Sequence, residues 1–265
     1  MTEALLHPRN VPENVLTWST GGQGVNGVVT VHAFATPADA GSYIADILTQ
    51  ALSHAVDTRG QALWLGCGGS TPKPVYKHLA YAELDWSRIK LVQVDERFVP
   101  VDDAQSNTRM MSEALAPVLD AGRMELVSLI QDISDQNACA ALAEAKLLDL
   151  GGGEAPVFDI ALMGMGPDAH YASIFPNHPL NDYVYDTKAL VLPVKAKHDG
   201  SEPVLPRITL SVSQINRCRR ILFYITGEAK LEVLKTASRN ADAQTSPIGA
   251  FLGQCPVPVD FVWTA

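Results

Sequence analysis

The chain has 265 residues, of which 47% are hydrophobic and 18% charged, and its formal net charge is −9 at pH 7. That composition is expected of a soluble globular protein with a sizeable core. The negative balance, with no run of lysines or arginines, argues against a nucleic-acid-binding surface, although a local basic cluster could still hold an anion. No apolar run approaches the ~18 residues that a membrane span needs.

Cys67, Cys139, Cys218 and Cys255 are far apart and form no CxxC pair, so isolated thiols in a reducing compartment are expected. The opening MTEALLHPRNVPENV lacks a charged n-region followed by an apolar h-region, so no secretory signal is read there. The expected location is the cytoplasm.

In chain order, residues 1–27 are rich in Gly, Pro and Asn, and GGQGVNG reads as a turn or loose loop. VVTVHAFA (28–35) is β-branched and alternating, a first strand. Thr36 then Pro37 reads as an N-cap with proline at the first helical position, and apolar residues recur at helical spacing as far as Arg59-Gly60. ALWLG (62–66) and IKLVQV (89–94) are short apolar strands, each followed by a loop and a helix. A long alanine-rich helix over about 134–150 stops at Gly151-Gly152-Gly153. FDIALMG (158–164), ALVLPV (189–194), RILFYIT (220–226) and DFVWT read as further strands, with helices near 211–217 and 228–239. Apolar strands alternating with helices imply a largely parallel sheet covered on both faces, where ligands gather at the carboxyl ends of strands.

The loops at those ends carry the chemistry. Gly68-Gly69-Ser70-Thr71-Pro72 links a strand to a helix; two glycines admit a ligand close to the backbone, and a helix start offers N–H groups to a phosphate. It is neither a Walker A loop nor GxGxxG, and a tight turn without a ligand would read the same way. Asp95-Glu96-Arg97 puts three charges at a strand end, costly to bury unless they pair or face a cleft. Arg97 could offer a fork to a phosphate or carboxylate, and Asp95 could orient a base or a water; a solvated loop with an internal ion pair is the plain alternative. Ser106 reads as the cap of a helix carrying Arg109. In GMGPDAHYASIFP (164–176), His170 has the side chain suited to a general base near neutrality, and Asp168 could fix its tautomer. Arg207 and Lys230, each an ordinary surface charge if read alone, lie where they could reach the same edge. The seven histidines show no HxH or HxxxH pair, so no metal is expected, and G-x-S-x-G is absent.

Together GGSTP (68–72), VDERFVP (94–100), SNTRMM (106–111), GMGPDAHYASIFP (164–176), PRITLS (206–211) and ITGEAKLEVL (225–234) resemble, in the same order, the 6-phosphogluconolactonases of the oxidative pentose phosphate pathway. The resemblance implies an α/β fold shared with glucosamine-6-phosphate deaminases: a Rossmann-like, mostly parallel sheet covered by helices on both faces, with a smaller α/β lobe or extension and no nucleotide. Residues 1–265 are then one such domain. It implies hydrolysis of 6-phospho-D-glucono-1,5-lactone to 6-phosphogluconate, with His170 as the base that activates water and Asp168 and Asp95 orienting it or the water. Arg97 completes the implied catalytic set. Gly68, Gly69, Ser70, Thr71, Arg97, Arg109, Arg207 and Lys230 are implied to bind the phosphate or polarise the carbonyl. No cofactor is expected; the partner is the small sugar-phosphate lactone, not nucleic acid or membrane, and the chain is expected as a monomer or small homo-oligomer.

Relatives commonly read GPDGHTASLFP where this chain has Ala169 and Tyr171. If residue 169 needs a positive φ, alanine strains the turn by about 1 kcal/mol. Tyr171 is expected to narrow the pocket or add a hydroxyl contact. Two other functions stay open at this stage. One is an amino-sugar phosphate deaminase, whose FNEP-type ending is here Ser173-Ile174-Phe175-Pro176. The other is a non-catalytic sugar-phosphate-binding relative.

Overall fold

The computed structural model describes residues 11–21, 25–197 and 202–265. His7, His198, the first ten residues of the segment read as lacking a secretory signal, and the centre of GGQGVNG lie outside the described residues.

Strand β1 (Asn14–Ser19) pairs antiparallel with β2 (Val28–Phe34). Its alternation of apolar and polar residues is hidden in a stretch whose Gly, Pro and Asn content predicts only loop, so that expectation is corrected. Helix α1 (Pro37–Arg59) starts as expected: Thr36 stays extended and its side chain accepts from Asp39 N–H at 3.1 Å. Then come β3 (Ala62–Gly66), α2 (Lys73–Leu79), β4 (Ile89–Gln93), β5 (Asp95–Arg97), α3 (Asn107–Ala114), α4 (Ala116–Leu119) and β6 (Glu125–Val127). Helix α5 (Gln136–Leu150) is capped by Asp135, whose carboxylate accepts from Ala138 N–H at 2.7 Å. The chain continues through β7 (Ile160–Met163), β8 (Val191–Val194), β9 (Arg207–Leu210), α6 (Val212–Ile215), β10 (Ile221–Thr226), α7 (Glu228–Ala237), α8 (Pro247–Gln254) and β11 (Val259–Thr264).

Eight strands form one sheet in the order β1-β2-β11-β10-β7-β3-β4-β6, parallel throughout except for β1. Strands β3 and β7 are buried along their whole length, as continuous apolar strands in a covered parallel sheet should be. Aromatic rings fill the layer against β10 and β11: Phe223 stacks on Phe261 at 5.0 Å, and Phe251 lies 6.1 Å from Phe223. Each such ring, fully buried, contributes about 1.5–3 kcal/mol of transfer free energy. Among the described residues no helix is long and apolar enough to cross a membrane.

The smaller lobe is a three-stranded antiparallel sheet, β5-β9-β8. Residues 95–97 and 207–210, read as parts of loops, are therefore strands that pair directly, Arg97 opposite Arg207. They are too short and too charged to show as strands in isolation. Helix α5 bolts this lobe down: Glu144 accepts from Leu190 N–H at 2.7 Å, and Gln136 donates to the carbonyls of Val194 and Arg207 at 2.8 Å each.

From β3 the chain runs outward to β4, whereas from β7 it runs by way of β8 and β9 to β10 on the other side. Since β3 and β7 are neighbours, their departing loops diverge and open a crevice at the carboxyl ends, the usual ligand position in such sheets.

Candidate active site

That crevice is a cleft of ≈ 270 Å³ lined by the Gly68–Thr71 loop, Asp95, Arg97, Asn107, His170, Arg207 and Lys230. A roomier groove of ≈ 620 Å³ lies against α1, but its charged lining includes the carboxylates Asp46 and Glu83, a poor receiver for a phosphate. The chemistry favours the smaller cleft.

The His170 side is a closed turn. Gly166 N–H donates to His170 C=O at 2.8 Å, and Ala169 N–H donates to Gly166 C=O at 3.2 Å. The ring of His170 lies so close over Gly166 that a Cβ there would fall 2.1 Å from it, so residue 166 has to be glycine. His170 Nδ1 sits 2.5 Å from Asp168 Oδ1, and the ring packs at 4.3 Å on the buried Phe175. Burial alone would raise the Asp168 carboxyl, but hydrogen bonding and charge from His170 outweigh it and hold it below the ordinary carboxylate range. An ionised Asp168 only accepts, so Nδ1 is the donor in this pair, and Nε2 is the ring nitrogen left free of it.

The cationic side comes from three elements. Arg97 and Arg207 face each other across β5 and β9, and Arg207 also lies 5.3 Å over the Phe175 ring. Burial, together with the neighbouring Arg97, depresses the Arg207 guanidinium, while Asp95 and Glu202 support its charge. Lys230, in the first turn of α7, is likewise lowered by burial, an effect that the nearby Asp168 carboxylate partly offsets. Asp95 is held by Ser173 Oγ at 2.5 Å. The N–H groups of Gly68, Gly69, Ser70 and Thr71 donate to no other described backbone group, and Gly69 takes φ +102° in this turn. Such a loop with cations opposite can receive an anion. The Cys67 thiol also lines the cleft, but burial and nearby Asp95 push it up to about 12, so it stays protonated and is a poor nucleophile near neutrality.

The fold thus brings together Gly68, Gly69, Ser70, Thr71, Asp95, Arg97, His170, Arg207 and Lys230, with Asp168 directly behind His170. Arg109 is not brought in. It points along the outer face of α3 to Glu113 at 3.0 Å and to Asp102 C=O at 3.0 Å, because its i,i+4 partner lies on that face. Tyr171 also departs from expectation: it is fully buried, 4.7 Å from Phe251, and neither narrows the cleft nor offers it a hydroxyl. Ala169 does take a positive φ, +69°. Glu96, Asn107, Ser173 and Phe175 were missed by reading single loops, since each matters through contacts with a loop distant in sequence.

A sequence profile described as glucosamine-6-phosphate isomerases/6-phosphogluconolactonase matches residues 35–263. The chain belongs to this family. A 6-phosphogluconolactonase of Rhizobium meliloti (strain 1021) is 33% identical over 235 residues, covering 88% of this chain and 97% of its own. One from Caulobacter vibrioides is 32% identical over 238 residues, with 89% and 97% covered. The crystal structure of a 6-phosphogluconolactonase from Shewanella baltica OS155 superposes with a TM-score of 0.81 at 31% identity, covering 93% of this chain and all of that one. The fold is the mixed α/β one of solved 6-phosphogluconolactonase structures, with a mostly parallel central sheet flanked by helices.

Proposed function

We propose that the chain is a 6-phosphogluconolactonase, hydrolysing 6-phospho-D-glucono-1,5-lactone to 6-phosphogluconate in the oxidative pentose phosphate pathway. The observation that carries this reading is the paired Asp168–His170 unit facing Arg97, Arg207 and Lys230 across one small cleft. Relatives bearing that name cover nearly all of the chain. All four cysteines are unpaired and buried, which fits a cytoplasmic setting.

In this reading Nε2 of His170 takes a proton from water as its oxygen attacks the lactone carbonyl carbon. The negative charge that forms on the carbonyl oxygen is met by a cation of the cleft, with Arg97 assigned to it. Collapse breaks the bond from that carbon to the ring oxygen, which receives the proton from His170 and becomes a hydroxyl. Asp168 stabilises the imidazolium in between. Arg207, Lys230 and the 68–71 amides hold the phosphate, and that remote binding fixes the reacting carbon. Asp95, tied to Ser173 and Arg207, orients the cationic side. A lactone is an activated ester, so a base, a water and a cation suffice. Tyr171, turned into the core, does not obstruct such a substrate.

The test is turnover of freshly prepared lactone against the spontaneous rate, beside gluconolactone lacking the phosphate. Acceleration of the phosphorylated lactone with a much smaller kcat/KM for the other is expected. No acceleration of either would overturn the reading.

A further inference from the structure

We infer that Asn107 is the positioning residue that fixes the Arg97 guanidinium in the cleft, with the buried Glu96 carboxylate anchoring both. The inference rests on the lactonase reading only for the use made of Arg97. Asn107 is 2% exposed, and its side-chain amide touches three parts of the site. Its Oδ1 accepts from Arg97 Nη1, and its Nδ2 donates to Asp95 C=O at 2.9 Å. Its flat side lies against Gly68 so closely that a Cβ there would fall 1.8 Å from Oδ1. One amide therefore spaces the 68–71 loop from the Asp95–Arg97 strand and sets the angle of the guanidinium between them.

Glu96 fixes the backbone on which this depends. Its Oε1 accepts from the N–H groups of both Arg97 and Asn107, each at 2.7 Å. Its Oε2 accepts from Gln93 Nε2, Thr108 N–H, Thr108 Oγ1 and Ser106 Oγ between 2.7 and 3.1 Å. Six donors converge on two oxygens at the start of α3, which fixes the carboxylate and the backbone around it. With Nη1 committed to Asn107 and to Gln105 C=O, Arg97 keeps its remaining donors for a ligand. A long side chain that would otherwise sample several rotamers is held in one, so orientation is supplied before substrate arrives.

The test is a double-mutant cycle on lactone turnover with Asn107→Ala and Arg97→Ala, supplemented by Asn107→Asp. Asn107→Ala is expected to lower kcat/KM by about 10- to 100-fold, the effect of one lost hydrogen bond to a charged group. In the Arg97→Ala background the same change should cost several-fold less, since the guanidinium is gone and only the spacing of the 68–71 loop remains to be lost. Asn107→Asp keeps an oxygen facing Arg97 but loses the donor to Asp95 C=O, so it should recover part of the activity lost in Asn107→Ala. If the alanine variant does not fold, the cycle is run with Asn107→Leu, which keeps the volume beside Gly68 and removes the acceptor, against Arg97→Ala. Additive losses, or Asn107→Asp as impaired as Asn107→Ala, would overturn the inference. A second readout is independent of turnover: the Arg97 guanidinium NMR signals should show hindered rotation in the wild type and free rotation in Asn107→Ala. Hindered rotation in both would overturn the inference, and a silent wild-type enzyme with hindered Arg97 would sink the lactonase reading alone.

Discussion

Ala169 holds φ +69°, a left-handed conformation that costs an L-residue about 1–2 kcal/mol. Two terms work the other way. Its methyl is buried, worth about 0.8 kcal/mol, and alanine has less freedom to lose on folding than glycine, worth about 0.5–1 kcal/mol. The sum is near zero, so Ala169→Gly is expected to change unfolding free energy by less than about 1 kcal/mol and to leave turnover intact. A loss of stability above about 2 kcal/mol in urea titration would contradict that balance. Asp168 supplies a pH signature at the same scale. Its carboxyl lies below its ordinary value when folded, so its pairing with His170 contributes stability above the unfolded value and loses it as pH falls through the folded one. The thermal midpoint of Asp168→Asn should therefore trail the wild type near about pH 6 and converge with it towards about pH 3. A gap that widens on acidification would contradict the pairing.

At the scale of elements, the join between β5 and α3 decides how firmly the cationic side is built. Glu96→Gln puts an amide where six donors converge, and a cost of about 2–4 kcal/mol in unfolding free energy is expected, with lower kcat/KM. Stability within about 0.5 kcal/mol of the wild type would mean that the cage is not tight. The same join shows where sequence reading runs out. Helix α1, strand β3 and helix α5 are legible because Thr36-Pro37, the apolar run ALWLG and the triple glycine after Leu150 act locally. Strands β5 and β9 are not, because each exists only by pairing with the other across more than a hundred residues of chain. His170 is legible from its company, whereas Asn107 looks like any residue after a serine cap until Arg97 and Gly68 are folded onto it. Arg109 misleads in the opposite sense: it stands two residues from Asn107, yet the helix turns it away from the cleft.

For the whole molecule, a net charge of −9 repels an anionic sugar phosphate at a distance, while Arg97, Arg207 and Lys230 attract it within the cleft. Exposed charges beyond about 8–10 Å are largely screened at physiological salt, so the half-buried cations dominate binding. Raising the salt to about 0.5 M is expected to increase KM several-fold with little change in kcat; a KM that falls would show that the global repulsion governs binding. The sheet topology is what allows one cleft to hold both signs of charge. Loops from β3, β4, β7 and β10 leave the same edge, and the β5-β9-β8 lobe closes one side. The base therefore comes from one loop and its cations from β5, β9 and the start of α7, and the chemistry exists only in the folded chain. The most direct test of the account is the initial rate of lactone hydrolysis, read by a dehydrogenase coupled to 6-phosphogluconate, for wild type and His170→Ala. A fall of about 10²–10⁴-fold with folding preserved is the expected result; equal rates in the two proteins would contradict it.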